Sequence, residues 1–253
     1  MKNREYWQER VGKETWKLYN DLEKNNKKLQ KFYNKAIEDL ESELAVTLSK
    51  INNGKPTLSD MYKYNRLNKL KSNISNIVKE LGKDVNKHTK KQIIDTIKKE
   101  YKVMGDVIGL DFSLPNKKVI EMMINNPWSG DVFSERIWEN QRVLAKNLNE
   151  LLVRGLIQGK SVKTMTDEMV KKINSNLVYT HRLVRTETMH FLNESCKERY
   201  KDAEIEYVEV LAAEDERTCD ICGEEHLKKY RIDEAPILPL HPNCRCTIIP
   251  VID

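Results

Sequence analysis

Apolar side chains recur at steps of three and four residues along most of the first 200 positions of the chain. This is the spacing of side chains on one face of an α-helix. The first predicted helix covers residues 4–51 and is expected to break near Asn25 and Asn26. The others cover 60–81, 84–104, 117–126, Ser134 to the glycines at 155 and 159, Ser161 or Thr164 to Ile173, and about 179–200.

Glycine, proline and asparagine interrupt this pattern at three places. Asn52–Pro56 separates the first two helices, and Gly82 is expected to end the second. Residues 105–116 contain two glycines and a proline, and they are predicted to form a connector. The chain is therefore divided into a helical N-terminal region, 1–104, the connector, and a second region, 117–253.

The character of the sequence changes after residue 202. Residues 205–211 alternate and are rich in β-branched side chains, which is typical of a strand, and residues 247–252 have the same character. The two segments predict a small antiparallel β module over about residues 203–253. Because so small a sheet is not stable alone, it must pack on the helices or be held by a metal.

The predicted module contains four of the five cysteines. Cys219 and Cys222 form a C-x-x-C pair, whose turn can bring both sulfur atoms to one metal ion. Gly223 follows at once and is expected to supply a permissive backbone conformation after the second cysteine.

A second cluster of soft ligands, His241, Cys244 and Cys246, follows after a loop. Structural zinc takes four such ligands, and five are present, so the choice between Cys244 and Cys246 stays open. The prediction is a mainly α protein with a small C-terminal antiparallel β module stapled by zinc, an α+β fold. The alternatives are two disulfides, which need an oxidising compartment, and a catalytic metal with an open coordination position.

Composition and charge narrow the choice of compartment and partners. Charged residues make up 33% of the 253 positions, the mean hydropathy is −0.67, and no apolar run has the length of a membrane span. Residues 1–7 lack the apolar stretch of a secretory signal, so reduced, metal-bound cysteines are expected.

Residues 1–104 carry 24 Lys and Arg against 14 Asp and Glu, whereas the remaining 149 residues carry 20 against 25. The basic front half is either a set of solvated helix faces or a surface for double-stranded DNA.

Motifs of the common enzyme classes are absent from the sequence. It has no glycine-rich phosphate loop, no H-E-x-x-H and no nucleophile elbow, and we expect no enzymatic activity. The competing hypotheses are a zinc-dependent nuclease, in which His226 or His241 assists hydrolysis, and a DNA-binding protein that uses the basic helices.

Several other conspicuous side chains are interpreted as structural. Arg185 and Glu187 are two residues apart on a predicted helix, so they face different ways and should make separate contacts. Trp138 is expected to be a packing anchor, His190 to be structural, and Cys196 to be a small buried apolar residue.

Six segments of the chain resemble, in order and spacing, the phage head morphogenesis or minor head proteins, the group named after the F protein of phage Mu. The segments are Pro127–Gly130, Phe133–Trp138, Gly155–Ser161, Leu183–Thr188, Asp215–Cys222 and Leu240–Cys246. The resemblance covers about residues 115–253, and its last two segments are the most specific. It implies that the region 117–253 is a Mu F-like minor head domain.

The resemblance implies a structural component of a phage or prophage head, located at the portal vertex and capsid interior. The implied partners are the portal protein, capsid and scaffold proteins, and double-stranded DNA through the N-terminal half. It also implies roles in procapsid assembly and in DNA packaging or ejection, and it implies no membrane partner. The expected location is the host cytoplasm during assembly and the virion afterwards.

Overall fold

The computed structural model describes residues 3–49, 51, 55–110, 114–213, 215 and 218–252. In chain order the elements are α1 (Asn3–Asn25), α2 (Lys27–Leu48), α3 (Leu58–Tyr62), a short 3-10 turn (Lys63–Asn65), α4 (Arg66–Ile108), α5 (Lys117–Ile124), α6 (Phe133–Ile157), α7 (Val162–Asp202), β1 (Tyr207–Leu211), α8 (Asp220–Glu225), β2 (Lys229–Arg231) and β3 (Thr247–Pro250). The predicted class, mainly α with a small antiparallel sheet near the C-terminus, is confirmed. Within the described ranges, no helix is long and apolar enough to cross a membrane.

Parts of three predicted features lie outside the described residues. They are Asn52–Gly54 of the first interruption, residues 111–113 of the connector, and Glu216 and Arg217 of the fifth Mu F-like segment. The break at Asn25 and Asn26 is confirmed, because α1 ends at Asn25 and α2 begins at Lys27.

The chain divides into two compact units. The helical unit consists of Lys27–His88 and Ser134–His181, and the sheet unit consists of Met1–Asn26, Thr89–Phe133 and Arg182–Asp253. Helices α4 and α7 each contribute residues to both units. The predicted boundaries at residues 104 and 117 remain a prediction.

The apolar stripes of α2, α4, α6 and α7 form the core of the helical unit. Tyr33 is fully buried there, and its hydroxyl donates to Oδ1 of Asn176 at 2.5 Å and lies 2.7 Å from Oγ1 of Thr180. A buried hydroxyl needs such partners, because an unpaired polar group is costly in an apolar interior. The buried face of α2 is thus apolar except at this one hydroxyl group.

The prediction that Gly82 ends a helix is wrong, since α4 runs without interruption from Arg66 to Ile108. A Cβ atom at Gly82 would lie 2.7 Å from the indole ring of Trp138. At Gly105, also inside α4, a Cβ atom would lie 2.7 Å from the guanidinium group of Arg199. Both glycines therefore permit close packing rather than a turn. The predicted role of Trp138 as a packing anchor is confirmed.

The two helices predicted between Ser161 and residue 200 are a single helix, α7. Ser161 caps its start, because the backbone N–H of Thr164 donates to the Ser161 hydroxyl at 3.1 Å. Residues 174–178 contain neither glycine nor proline, so nothing in the backbone ends the helix there. Of the two glycines expected to end α6, Gly155 lies within it and Gly159, with a φ of 62°, follows its end.

The sheet has three strands in the order β2-β1-β3, and both pairings are antiparallel. The sequence predicts β1 and β3, but the prediction begins β1 two residues early and ends β3 two residues late. It does not predict β2, because Lys229–Arg231 is too short and too polar to show an alternating pattern. Register places Val208 opposite Tyr230 on one side and opposite Pro250 on the other.

The sheet unit buries β1 and β3 against helices. All four residues of β3 are buried, and the apolar cluster around the sheet includes Trp7 and Val11 from α1 and Tyr200 from α7. Cys222, Cys244 and Cys246 belong to this buried cluster, so the predicted metal ligands pack against the sheet.

Candidate metal centre

The structure brings together all five side chains that the sequence predicts as metal ligands. Cys219, Cys222 and His241 form one group, and Cys222, Cys244 and Cys246 form a second. In each group the potential ligand atoms lie within 4.8 Å of one another. Cys222 belongs to both groups, so it is the centre of the cluster.

The distances between these atoms suit a shared metal ion. The Nε2 atom of His241 lies 3.2 Å from the Sγ atoms of both Cys219 and Cys222, and the Sγ atoms of Cys222 and Cys244 are 3.6 Å apart. Two thiolates bound at about 2.3 Å to a tetrahedral zinc ion lie about 3.7 Å apart.

Short local structures present these ligands. Cys219 is the N-cap of α8, and Cys222 lies one turn further on, where the N–H of Gly223 donates to the Cys219 carbonyl at 2.9 Å. His241 and Cys244 are joined by a turn in which the N–H of Cys244 donates to the His241 carbonyl at 3.1 Å. The N–H of Cys246 points at the Cys244 sulfur atom, 3.4 Å away.

The role expected of Gly223 is wrong. It lies inside α8, its φ is not in the left-handed region, and a Cβ atom there would meet nothing within 4 Å. The pair of cysteines is presented by an ordinary helical turn, which any residue at position 223 can adopt.

The hydrogen bonds of His241 fix which nitrogen faces the thiols. Its Nδ1 atom lies 3.0 Å from the carbonyl oxygen of Pro242. Because a carbonyl only accepts, Nδ1 carries the proton and Nε2 presents its lone pair to Cys219 and Cys222. A histidine ligand oriented by a carbonyl acceptor on its other nitrogen is the common arrangement in metal sites.

The four thiols differ in acidity. Hydrogen bonding from the Cys246 thiol lowers the pKa of Cys244 to about 5, and hydrogen bonding from Cys222 lowers the pKa of Cys219. Burial raises the pKa of Cys222 to about 12, whereas the hydrogen bond to Cys244 raises the pKa of Cys246. Binding of a metal ion to this set would therefore release protons.

The cysteines are free thiols in the structure. The separation of 3.6 Å between Cys222 and Cys244 is far longer than a disulfide bond of about 2.05 Å. The chemistry of the set, soft sulfur atoms with one imidazole, suits zinc among the common metal ions.

A cavity of about 390 Å³ lies beside the cluster. Its lining includes Cys222 and His241 of the cluster and Tyr19, Glu23 and Arg185 from α1 and α7. The Nε atom of Arg185 donates to Oε1 of Glu23 at 2.8 Å, and this partner raises the pKa of the arginine. The cavity therefore borders both the cysteine cluster and the ion pair of Glu23 and Arg185.

The remaining predictions about single residues can be compared with the structure. Arg185 and Glu187 make separate contacts as predicted, because Glu187 accepts from Nε1 of Trp128 at 3.0 Å. Cys196 is fully buried, and His190 is buried in a stack on Trp128 with ring centroids 4.2 Å apart. His226, proposed for a nuclease, lies outside the cluster and accepts from the N–H of Ala212 at 3.2 Å.

The sequence did not predict the side chains that hold the loop of His241 and Cys244. They are Trp16 on α1 and Thr186, His190, Asn193 and Tyr200 on α7. The available signal was the spacing of polar residues on one face of α7, which a sequence reading does not separate from ordinary helix surface.

The comparison with protein families matches residues 146–249 to the phage Mu protein F like family. This range contains α7, β1, β2, the first three residues of β3 and all five clustered side chains. Over this range, the chain is similar to the Mu F-like family.

Two curated proteins are similar to this chain. The minor head protein GP7 of Bacillus phage SPP1 is 26% identical over 178 residues, which are 67% of this chain and 58% of GP7. The NAD(+)--arginine ADP-ribosyltransferase EFV of Enterococcus faecalis (strain ATCC 700802 / V583) is 25% identical over 164 residues, 58% of this chain and 34% of EFV. The matched parts thus span less than two thirds of either relative. No solved structure matches the chain.

Proposed function

We propose that the chain is a minor head protein of a phage or prophage, a structural component at the portal and capsid interior. It assists procapsid assembly and the packaging or delivery of DNA, and it has no enzymatic activity. The observation that carries the proposal is the Mu F-like match over residues 146–249, which includes the whole ligand cluster. The similarity to a phage minor head protein supports the same role.

The test is whether the chain is incorporated into heads that are assembled with and without the portal protein. The portal, scaffold and major capsid genes of the genome that encodes it would be expressed together, and the particles would be purified by sedimentation. We expect the chain to sediment with particles in a few copies and only when the portal protein is present. Particles that form with the portal protein yet exclude the chain would contradict the proposal.

We propose zinc as the resident metal, held by Cys219, Cys222 and His241 together with Cys244 or Cys246. The orientation of His241, with Nδ1–H on the Pro242 carbonyl and Nε2 toward two thiols, supports this assignment. When bound, the ion would cross-link α8 to the loop before β3, and its role is structural.

Elemental analysis of protein purified without a metal-binding tag tests the zinc site. We expect about one zinc ion per chain and a melting temperature that falls when a chelator removes it. A metal-free protein whose melting temperature does not respond to zinc or chelator would contradict the assignment.

Charge supports double-stranded DNA as a further partner, because the excess of positive charge lies in one of the two structural units. The helical unit carries 21 Lys and Arg against 12 Asp and Glu, a net charge of +9, whereas the sheet unit carries 23 against 27. Binding through phosphate contacts should weaken steeply with salt. We expect a gel shift at about 50 mM salt that is lost at about 200 mM. The absence of a shift at low salt would contradict DNA as a partner.

A matched pair of variants can localise such binding. Replacing Lys69 and Lys71 of the helical unit by Glu should weaken the DNA complex, whereas replacing Lys228 and Lys229 of the sheet unit should not. All four lysines lie on described elements or the turn beside them, and Lys69, Lys228 and Lys229 are exposed. Equal losses from both pairs would argue against the helical unit as the DNA-binding surface.

A further inference from the structure

One face of α7 carries four buried polar side chains, Thr186, His190, Asn193 and Tyr200. Their spacing of four, three and seven residues places them on one stripe of the helix. Each is at most 9% exposed. Buried polar groups need partners, and all four meet the backbone of residues 238–248. This segment, here called the metal loop, contains His241, Cys244 and Cys246.

His190 holds the start of the metal loop. Its Nδ1 atom lies 2.9 Å from the carbonyl oxygen of Leu238, so Nδ1 carries the proton and donates. The ring of Trp128 stacks on the imidazole with an interplanar angle of 12°, which fixes the orientation of the donor. The position of the loop three residues before His241 is therefore set by the helix.

Asn193 holds the other end of the ligand cluster. Its Nδ2 atom donates to the carbonyl of Cys246 at 3.0 Å and to the carbonyl of Met189 at 2.9 Å. Both amide hydrogens are thus used, and the second bond fixes the side chain against its own helix. A donor held in this way constrains the backbone at Cys246 and, through the neighbouring peptide units, at Cys244.

Three further hydrogen bonds complete the attachment of the metal loop. The N–H of Asn243 donates to the Thr186 hydroxyl at 3.2 Å, and the Tyr200 hydroxyl donates to the Ile248 carbonyl at 3.3 Å. From α1, the indole N–H of Trp16 donates to the carbonyl of Arg245 at 3.1 Å. None of these bonds involves a ligand atom, so they do not depend on a metal ion.

The other half of the cluster is attached differently. Of the six described residues of α8, only Cys222 is buried. Hydrogen bonds around α8 join it to nearby residues, as when Tyr230 donates to Glu225 at 2.5 Å. In the part of the chain that the structure describes, the hydrogen bonds between Cys219–Glu225 and the metal loop all involve a thiol or the His241 imidazole.

We propose that His190 and Asn193 are positioning residues that build half of the metal site before any ion binds. Metal binding then docks Cys219–Glu225 on the preformed loop. The inference rests on the proposed metal site, and it states which half of that site is formed before the ion binds. The metal loop is then already ordered in the metal-free protein. The residues around α8 keep their hydrogen bonds to β1 and the Asp215–Arg245 ion pair, but the hydrogen bonds from Cys219–Glu225 to the loop all run through potential ligand atoms.

Hydrogen exchange of the full chain, with zinc and with a chelator, tests whether the metal loop is ordered before the ion binds. On removal of zinc, we expect amides of residues 219–226 to exchange at least about tenfold faster, while amides of 243–249 keep their protection. Simultaneous loss of protection in both segments would overturn the preformed loop. If zinc and chelator change neither segment, and no zinc is found in the protein, the metal site itself is wrong.

Asn193→Leu tests the positioning role. The substitution removes the donor to Cys246 without adding charge, and we expect the affinity for zinc, measured by competition with a chromogenic chelator, to fall about 10- to 100-fold. Amides of 243–249 should also lose protection in the metal-free variant. The control is Asn176→Leu, which removes a buried asparagine of the same helix that bonds Tyr33 instead.

Two results would contradict the positioning role. One is an unchanged affinity for zinc in folded Asn193→Leu protein, and the other is an equal fall in the Asn176→Leu control. The exchange experiment on the unmodified chain stands even if Asn193→Leu does not fold.

Discussion

The Sγ atoms of Cys222 and Cys244 lie 3.6 Å apart, and Cys222 is the residue that joins the two groups of potential ligands. Loss of this sulfur atom breaks both groups, whereas loss of Cys246 leaves Cys219, Cys222, His241 and Cys244. Zinc needs four ligands in a closed site. The four cysteines should therefore differ in how much zinc binding depends on them.

We expect Cys222→Ser to lose zinc, from about one ion per chain to a small fraction, and Cys246→Ser to retain it with at most about a tenfold loss of affinity. The comparison of Cys244→Ser with Cys246→Ser, by elemental analysis after dialysis, identifies the fourth ligand. Cys196→Ala is the control, because that thiol is buried apart from the cluster. Equal and mild effects of all four cluster variants would be incompatible with the proposed site.

Stability should depend on pH through Glu100. Burial raises the pKa of this carboxyl group to about 8, and its one described partner is the hydroxyl of Thr15, which donates to Oε1 at 3.0 Å. The folded state thus keeps a proton that the unfolded state loses near pH 4.5. The contribution is complete below pH 4.5 and is lost as the pH rises to about 8, by up to about 1.4 kcal/mol per pH unit.

Glu100→Gln removes this titration and keeps the shape of the side chain. We expect the variant to be more stable than the unmodified protein at pH 8 and to lack the decline between pH 5 and 8. Urea unfolding at a series of pH values measures both effects. A decline that persists unchanged in the variant would assign it to other groups.

Gly82→Ala should destabilise the helical unit. The new methyl group would lie 2.7 Å from the Trp138 ring, and overpacking of this kind costs about 1–3 kcal/mol. Gly155→Ala is the matched control in the same unit, because its methyl group would meet the flexible side chain of Met165. Thermal unfolding should show the larger loss for Gly82→Ala, and the reverse order would show that the indole moves more easily than the thioether.

Tyr33→Phe should cost about 1–3 kcal/mol, since it leaves the buried Asn176 and Thr180 without their shared partner. Tyr62→Phe is the control, because Tyr62 is 65% exposed. Chemical unfolding measures the difference between the two variants. A loss below about 0.5 kcal/mol for Tyr33→Phe would mean that water replaces the hydroxyl.

The sequence by itself determined the helical class, the two longer strands and the five side chains that cluster as potential metal ligands. Apolar periodicity reports which face of a local element is buried, and soft ligands at short spacing report metal chemistry directly. Only the tertiary structure showed that α4 is continuous. Gly82 and Gly105 do not end the helix but make room for Trp138 and Arg199, which are distant in sequence. The tertiary structure also decided the pairing of β2 and the attachment of the metal loop to Thr186, His190 and Asn193. Such contacts join residues about 20 to 100 positions apart, and no local pattern records a partner at that distance.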